Sequence, residues 1–368
     1  MAPYTGIPLS PAELSYLHTS LAQIPPIRPD GRASTHFRPL IAETEVLPAA
    51  NGSARICFAD GTEAIVGVKA EVEQTRQAPA SINGEKVDEG MLDLGGGGAR
   101  DVKDDEMKVD GDGKKQQTGR GRDEWLEISI DVPGMRDDDA LPMFLSAMLT
   151  EALLADGGLR DKLYINTRFH WRLYIDILLL SQPLSYPLPL LSLTTHLALL
   201  STRLPALISE KDEDPLFNDD WEASTHLYLR DDQHQQQKPS VTLLVISVND
   251  NILFDPSKEE LAVADAVVAM SVTQSTDNSL KLIALRTVDP PSRLTAAGTP
   301  NALNTSAGAQ SLGAAEVAAI REKDMGATVW RPPRGGLKRA VLAKMIKMVV
   351  EKNGVGEEVL AGLVGVEV

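Results

Sequence analysis

The stretch that most constrains this sequence is a strand–turn–strand pattern across residues 53–71. Its first arm alternates apolar with more polar residues, the period-two signature of a strand with one buried face, at Ala54, Ile56 and Phe58. Asp60-Gly61 then supplies a pair that tolerates positive φ, as a tight hairpin turn requires. The largely apolar run at 64–70 predicts a returning strand in the centre of a sheet. An antiparallel hairpin is therefore the expected nucleus of the fold.

The totals bound the class of protein. The chain has 368 residues, of which 43% are hydrophobic, so it can bury a substantial core. Its formal charge of −16 argues against a free-standing nucleic-acid binder that neutralises phosphates by itself. A subunit whose basic neighbours supply the positive charge stays compatible with this value.

Cysteine and histidine usage argues against a disulfide or metal framework. Cys57 is the only cysteine, so no internal disulfide forms, and its place in the hairpin indicates a small buried side chain. The six histidines lack the spacing of metal ligands, so neither a metal nor a cofactor is expected. The sequence shows no secretory signal and no run long enough to span a membrane, which predicts a reducing compartment, the cytosol or nucleus.

Other patterns predict helices and strands before and after the hairpin. Ser10-Pro11-Ala12-Glu13 is a capping box that opens an amphipathic helix. The remaining predicted elements of the first half are strands at 43–47, 126–132, 164–167 and 171–180, a helix at 141–153 capped by Asp138 or Asp139, and a leucine-rich helix from Pro187 to near Arg203. In the second half they are strands at 241–248, 252–255, 262–272 and 280–288, and helices at 314–323 and 337–350.

Strand-rich runs and helices occur in the same order in both halves, which predicts an α+β fold of two related halves. Two polar stretches interrupt the pattern, a predicted disordered insertion at 74–122 and an acidic one at 210–239. We expect one domain over residues 1–352 and a C-terminal tail at 353–368.

Several short motifs together resemble the ribonuclease PH family. They are Arg28-Pro29-Asp30-Gly31-Arg32, the Gly-Ser-Ala-Arg strand from Gly52, Gly67-Val68-Lys69-Ala70-Glu71, and the turn Phe254-Asp255-Pro256. Within that family, 171–180 and 201–205 are especially similar to a ring subunit of the eukaryotic exosome. The resemblance implies a ribonuclease PH-like (ribosomal protein S5 domain 2-like) fold and, in active members, phosphorolytic 3′-to-5′ exoribonuclease activity.

The sequence departs from the active pattern that the resemblance implies. Active members hold phosphate on a glycine- and serine-rich loop with an arginine after the long central strand. Here the loop contains no glycine and no arginine; it is Ser181-Gln182-Pro183-Leu184-Ser185-Tyr186-Pro187. Its prolines also remove backbone amide donors. Asp255 occupies the first position of the family's aspartate pair, but Leu261 occupies the second. The stretch 137–139 is Asp-Asp-Asp where active members carry RNA-gripping basic residues.

Two further groups of residues leave alternatives open. Arg28, Arg32, Arg55 and Lys69 either contact RNA or a neighbouring subunit or form local salt bridges. The basic cluster of Arg331, Arg334, Lys338 and Arg339 either touches RNA or an acidic partner or forms a solvated face. His170 and Asp176 suggest a base and its orienting group, but no nucleophile accompanies them, which favours a structural role.

The leading expectation is a non-catalytic ring subunit of the RNA exosome. The resemblance implies a heterodimer with another ribonuclease PH-like subunit inside a hexameric ring, RNA-binding cap subunits and a separate catalytic nuclease. It also implies weak or indirect contact with RNA, no membrane, and a nuclear, nucleolar and cytoplasmic location. The alternatives are an active phosphate-dependent exoribonuclease using Asp255 with Glu259 or Glu260, and an acidic interaction module outside any ring.

Overall fold

The computed structural model describes residues 9–75, 121–136, 138–209, 213–228, 237–275, 277, 279–295, 329–334 and 336–366. Its strands are β1 (Leu40–Thr44), β2 (Gly52–Phe58), β3 (Glu63–Gln74), β4 (Leu126–Asp131), β5 (Phe169–Leu179), β6 (Arg203–Leu204), β7 (Thr225–His226), β8 (Val241–Val248), β9 (Asn251–Phe254), β10 (Ala266–Gln274) and β11 (Leu280–Val288). Its α-helices are α1 (Pro11–Leu21), α2 (Ala140–Leu154), α3 (Gly158–Lys162), α4 (Leu188–Ser201), α5 (Lys258–Leu261), α6 (Arg339–Val350) and α7 (Val355–Val364).

The predicted hairpin is confirmed as β2 and β3. Asp60 and Gly61 form the turn, and Gly61 has a φ of 82° that favours glycine. The first sheet runs in the order β1-β2-β3-β5-β4, so β3 lies at its centre as expected. Strand β4 runs parallel to β5, and β5 separates it from the hairpin.

The second sheet is antiparallel throughout, with the order β11-β10-β8-β9. Every residue of β8, and all of β10 except Gln274, is buried. Strands covered on both faces read as continuous apolar runs, which is how these two appear in the sequence.

Helix α4 lies between the two sheets and contacts β2, β3 and β8. All of its residues are buried, which explains why leucines surround it instead of forming one stripe. The start of β2 runs so close to its C-terminal end that a Cβ on Gly52 would collide with Thr202. The two halves therefore share one hydrophobic core.

Four predicted boundaries are wrong, each for a local reason. Strand β1 occupies 40–44 instead of 43–47, because Ala42 pairs with Ile56 and the left-handed backbone of Glu45 (φ 57°) ends the strand. Residues 164–167 form only a bridge at Tyr164, since the Asn166 side chain accepts from the backbone of the following turn. Strand β10 begins at Ala266, after the short helix α5 that Ser257 caps.

The fourth correction concerns the C-terminus. The predicted tail contains helix α7, which buries Val355, Leu360 and Leu363 beside α6. The second insertion also contributes to the core, because β7 pairs with β6 and both Leu227 and Tyr228 are buried. The predicted helix at 314–323 and nearly all of the predicted insertion at 74–122 lie outside the described residues. Within the described part of the chain, no helix combines the length and apolar character needed to cross a membrane.

Candidate functional site: the Asp255 junction

Asp255 follows β9 and stands where the first and second halves of the chain meet. Its backbone has a φ of 47°, and its residue is 2% exposed. The carboxylate accepts from Arg32 Nη1 at 2.8 Å, from Arg38 Nη2 at 2.7 Å and from the Arg38 backbone N–H at 2.8 Å. Arg38 Nε donates as well, at 2.9 Å. Both carboxylate oxygens are therefore engaged by arginines of the N-terminal segment.

These contacts hold Asp255 in its charged form. Burial by itself raises the pKa of this carboxyl, but the hydrogen bonds and charge of Arg38, with the charge of Arg32, outweigh it. The pKa of Asp255 consequently lies below its usual range. A carboxylate that stays ionised and paired with arginines is a poor general acid at neutral pH.

Arg28 forms a second, deeper ion pair beside Asp255. Its Nε and Nη2 donate to the two oxygens of Glu260 at 2.7 and 2.8 Å, and both side chains are fully buried. Its remaining N–H groups reach the carbonyls of Phe254 at 3.0 Å and Asp255 at 2.9 Å. The bidentate pair ties the turn at 28–32 to the first turn of α5.

Arg38 extends the network to the hairpin turn and to the loop after β5. Its Nη1 donates to Asp60 in the turn and to Ser185 Oγ in the loop, the latter at 2.9 Å. Its guanidinium also stacks 4.6 Å from the centre of the Phe58 ring. We call this set, made of Arg28, Arg32, Arg38, Asp60, Ser185, Asp255 and Glu260, the Asp255 junction.

The loop at 181–187 uses its polar groups to hold its own shape. Ser181 Oγ accepts from the Glu63 backbone N–H at 3.0 Å, while Ser185 is committed to Arg38. Tyr186 is buried, and burial raises the pKa of its phenol far above its usual value. Leu184 is 52% exposed and presents an apolar side chain instead of an anion-binding group.

A cavity of about 760 Å³ lies beside the junction. It is lined by Leu9, Asp30, Arg32, Arg38, Pro39, Ala59, Asp60, Leu184, Ser185, Ser257, Lys258 and Glu259. Leu261, at the position where the resemblance implies a second aspartate in active members, is 1% exposed and belongs to the hydrophobic core. Among the described residues, no group of three or more His, Cys, Asp or Glu side chains is arranged to hold a metal ion.

Two curated proteins resemble the chain over most of its length. The exosome complex component RRP42 of Saccharomyces cerevisiae is 30% identical over 263 residues, covering 70% of this chain and 78% of that protein. Exosome complex component rrp42 of Schizosaccharomyces pombe is 31% identical over 278 residues, covering 73% and 79%. The chain belongs to the RRP42 family of exosome complex components.

That membership confirms the ribonuclease PH-like fold that the sequence motifs predict. Among solved structures, an archaeal exosome core aligns with a TM-score of 0.47 and 18% identity, covering 75% of this chain and 84% of its own. No protein-family model matches the chain. The α+β architecture of two sheets around a shared helix is the form that this RRP42-family chain takes.

The junction decides between the two alternatives for Arg28. Its guanidinium has no exposed area and pairs with Glu260, which favours the salt bridge over contact with RNA or a neighbouring subunit. Arg32, at 13% side-chain exposure, serves Asp30 and Asp255 and also lines the cavity. The sequence therefore placed both arginines in the correct turn but gave no hint that they face inward.

The other predicted cations lie apart from the junction. Arg55 and Lys69 point away from α4 on the first sheet, where Arg55 pairs with Glu43 and Glu63, and Lys69 pairs with Glu71 at 2.7 Å. Arg331 and Arg334 are exposed before α6. In the acidic stretch, Asp138 pairs with Arg136 at 3.1 Å, and Asp137 lies outside the described residues.

His170 and Asp176 are not a catalytic pair. They stand at opposite ends of β5, about 20 Å apart along a strand rising roughly 3.3 Å per residue. His170 stacks on Trp125 at 4.3 Å and shares a hydrogen bond with Thr75, and burial lowers its pKa. Asp176 is exposed and accepts from Ser129. Both contacts are consistent with the structural role that the sequence favoured.

Sequence reasoning missed Arg38, the role of Asp60 in binding it, and the pairing of Glu260 with Arg28. A usable signal existed, because Arg28, Arg32 and Arg38 fall in one short segment whose only acidic residue is Asp30. Asp255 and Glu260 meanwhile follow an apolar strand, and buried carboxylates require partners. It also missed a second, partly buried group, the Lys162 cluster, formed by Asp156, Lys162, Tyr228 and Gln237.

Proposed function

We propose that this chain is a non-catalytic subunit of an RNA exosome ring. The observation that carries the proposal is the Asp255 junction, where the one retained acidic residue of the family pattern is bound by two arginines. Membership of the RRP42 family supplies the assembly to which such a subunit belongs.

The chemistry of phosphorolysis explains why this arrangement supports an inactive subunit. A catalytic carboxylate needs free lone pairs for a metal ion or a proton, and those of Asp255 are directed at guanidinium and amide donors. Inorganic phosphate needs convergent backbone amides or a free arginine. The loop at 181–187 instead offers prolines and the exposed Leu184, and Arg38 is already shared among three oxygen-bearing partners.

The wider proposal concerns the assembly. This subunit forms a heterodimer with another ribonuclease PH-like subunit, and three such pairs close a hexameric ring beneath RNA-binding cap proteins. A separate nuclease performs 3′-to-5′ processing and degradation, including ribosomal RNA maturation, in nucleus, nucleolus and cytoplasm. Contact with RNA is weak or indirect, through exposed cations such as Lys69, Arg331 and Arg334. Helix α4, packed between both sheets, supports one domain over 1–352, which now extends through α7.

The test of the catalytic claim is a phosphorolysis assay on the purified chain. Single-stranded RNA and inorganic phosphate are incubated with the wild type and with Asp255→Ala, and nucleoside diphosphates are measured by chromatography. We expect no release above the buffer background from either protein. Release by the wild type that Asp255→Ala abolishes would establish an active enzyme, whereas equal release by both would identify a contaminating phosphorolytic ribonuclease.

The active-enzyme alternative requires Glu259 or Glu260 to replace the second aspartate. Glu260 is committed to Arg28 inside the core, with no exposed side-chain area. Glu259 is exposed and lines the cavity, but Asp255, its intended companion, is held by Arg32 and Arg38. The geometry therefore favours the non-catalytic subunit.

A further inference from the structure

The outer face of the first sheet, which points away from α4, carries an apolar patch at one end. Ile41 is 69% exposed, Leu178 is 40% exposed, and Leu180 is 48% exposed. Cys57 and Ile65 lie between them and are partly buried. We call these five residues the sheet-face patch.

Strand register shows that the patch consists of two cross-strand pairs that meet diagonally, because Cys57 stands opposite Glu63 and Ile65 stands opposite Arg55. Ile41 of β1 stands opposite Cys57 of β2, and Ile65 of β3 stands opposite Leu178 of β5. Side chains opposite each other on one face of antiparallel strands have Cβ atoms about 5 Å apart and touch. Leu180 continues the same face, and its backbone N–H donates to the Glu63 carbonyl at 2.9 Å. Exposed apolar side chains grouped on one face in this way favour an interaction site.

The rim of the sheet-face patch is acidic. Glu43, Asp131 and Asp176 border it on the same face, and Glu63 lies within it, between Cys57 and Leu180. Arg55 is the cation between them, and it is already shared by Glu43 and Glu63. Asp131 stands directly across from Leu178 on β4, and it is exposed. The rim therefore keeps a net negative charge, in line with the −16 of the whole chain.

We propose that the sheet-face patch is the docking surface for a different protein chain, one with an apolar centre and a basic rim. The inference rests on the proposed function, because it names the surface through which this chain enters its assembly. Charge complementarity selects the occupant, since a basic rim is attracted to these carboxylates. RNA phosphates and a second copy of this acidic face are both repelled.

The chain carries its own reporter for this surface. Cys57 is the only cysteine in the sequence and lies in the sheet-face patch, so a maleimide probe labels this position alone. The tagged full-length chain is expressed alone and is also purified from its own cells with the proteins it assembles with. The rate of Cys57 labelling is then compared between the free chain and the intact complex.

We expect labelling in the complex to be slower by about tenfold or more, because a docked partner closes access to the thiol. A short cross-linker joining thiols to amines, attached at Cys57, should capture a lysine of one co-purifying chain. That lysine is the direct signature of a basic rim, and mass spectrometry identifies the chain that supplies it.

Two variants test the apolar centre and the acidic rim separately. Ile41→Asp should weaken recovery of the partner by about tenfold or more, as substitutions at interface centres do, while Leu216→Asp, 62% exposed on another surface, should not. Asp131→Lys should slow association with a salt-dependent effect, whereas Asp219→Lys should leave it unchanged. Thermal unfolding of each purified variant confirms that it is folded, since all four positions are exposed.

Each contrary result has a distinct meaning. A complex that forms while Cys57 stays as reactive as in the free chain overturns the docking surface and leaves the proposed function intact. Failure to recover any complex overturns the proposed function and this inference with it. Protection of Cys57 in the dilute free chain would show that the chain's own residues cover the surface. Protection that grows with concentration would show that a second copy covers it, and protection by added RNA would show that nucleic acid does. Each of those three also overturns the proposal.

Discussion

The molecule contains one buried and one partly buried polar group, and their electrostatic character is opposite. In the Asp255 junction, arginines and carboxylates are matched, and the pKa of Asp255 falls even though burial opposes it. In the Lys162 cluster, burial prevails. It lowers the pKa of Lys162 to about 8 against the attraction of Asp156, and it raises the pKa of Asp156 despite the Gly158 N–H and nearby cations.

The contacts explain the contrast. Asp255 receives several charged or amide donors, whereas Lys162 donates to the neutral carbonyl of Leu227 at 2.7 Å and lies 3.9 Å from the centre of the Tyr228 ring. Asp156 is held by Gln237 Nε2 at 2.6 Å, a neutral donor. Both groups connect distant parts of the chain, but the junction does so through ion pairs between arginines and carboxylates. Burial of a charge thus stabilises or destabilises according to its partners.

The largest expected effect comes from breaking the deepest pair of the junction. Glu260→Ala leaves the Arg28 guanidinium buried without its carboxylate, since both side chains are fully buried in the wild type. The free energy of unfolding should fall by about 3–5 kcal/mol, the cost of an uncompensated buried charge. Equilibrium unfolding in urea, followed by tryptophan fluorescence and circular dichroism, measures the change.

The neighbouring residue provides a matched control. Glu259 lies in the same short helix but is exposed, so Glu259→Ala should change the free energy of unfolding by no more than about 0.5 kcal/mol. Equal effects at the two positions would show that the Arg28–Glu260 pair contributes no more than a surface charge. The proposed contrast between the Asp255 junction and the Lys162 cluster would then be wrong.

The comparison also shows what the sequence could reveal. Period-two alternation predicted β2 and β4, and apolar runs predicted β3 and β8, because local residues specify each of these patterns. Helix α5 was not predicted, since its four residues carry too little periodicity to be recognised before the apolar run that follows. Helix α7 was missed because its apolar residues are buried by packing against α6, a contact that the local sequence does not reveal.

The site was predictable only in part. The motif at 28–32 and Asp255 were both singled out, yet nothing local reveals that residues more than two hundred positions apart form one ion-pair network. Arg38 lacked any motif of its own, and its role depends on Asp60, Ser185 and Asp255 converging from three separate elements. Sequence identifies such residue types, but tertiary contact assigns their partners.

An intermediate effect is expected from removing the charge of Asp255 while keeping its shape. Asp255→Asn should lower the free energy of unfolding at pH 7 by about 1.5–3 kcal/mol, the usual contribution of hydrogen bonds to a charged group. The pH dependence gives the sharper result. Because the folded pKa of Asp255 lies below the usual 3.8, its stabilisation is fully present above that value and is lost as pH falls through the folded pKa.

Urea unfolding of wild type and Asp255→Asn between pH 7 and pH 3 checks this prediction. The difference between the two proteins should stay constant down to about pH 5 and then narrow as the wild-type carboxylate is protonated. A gap that widens on acidification would mean that burial, as in the Lys162 cluster, governs Asp255 after all.

The smallest effect is expected at Lys162, where stability also rises with pH but over an alkaline range. The folded pKa of about 8 lies below the ordinary 10.5, so between these values the unfolded chain binds more protons than the folded one. Stability contributed by this residue therefore rises as pH increases from 8 to 10.5. Lys162→Met keeps the apolar stem and removes the amine, so wild type should gain stability relative to this variant over that range. Urea unfolding at pH 7, 8, 9 and 10 measures the difference, with Lys347→Met, 72% exposed, as a control that should show no such trend. If the stability of the wild type relative to Lys162→Met instead falls with rising pH, then Asp156 stabilises the ammonium of Lys162 as strongly as the arginines stabilise the carboxylate of Asp255.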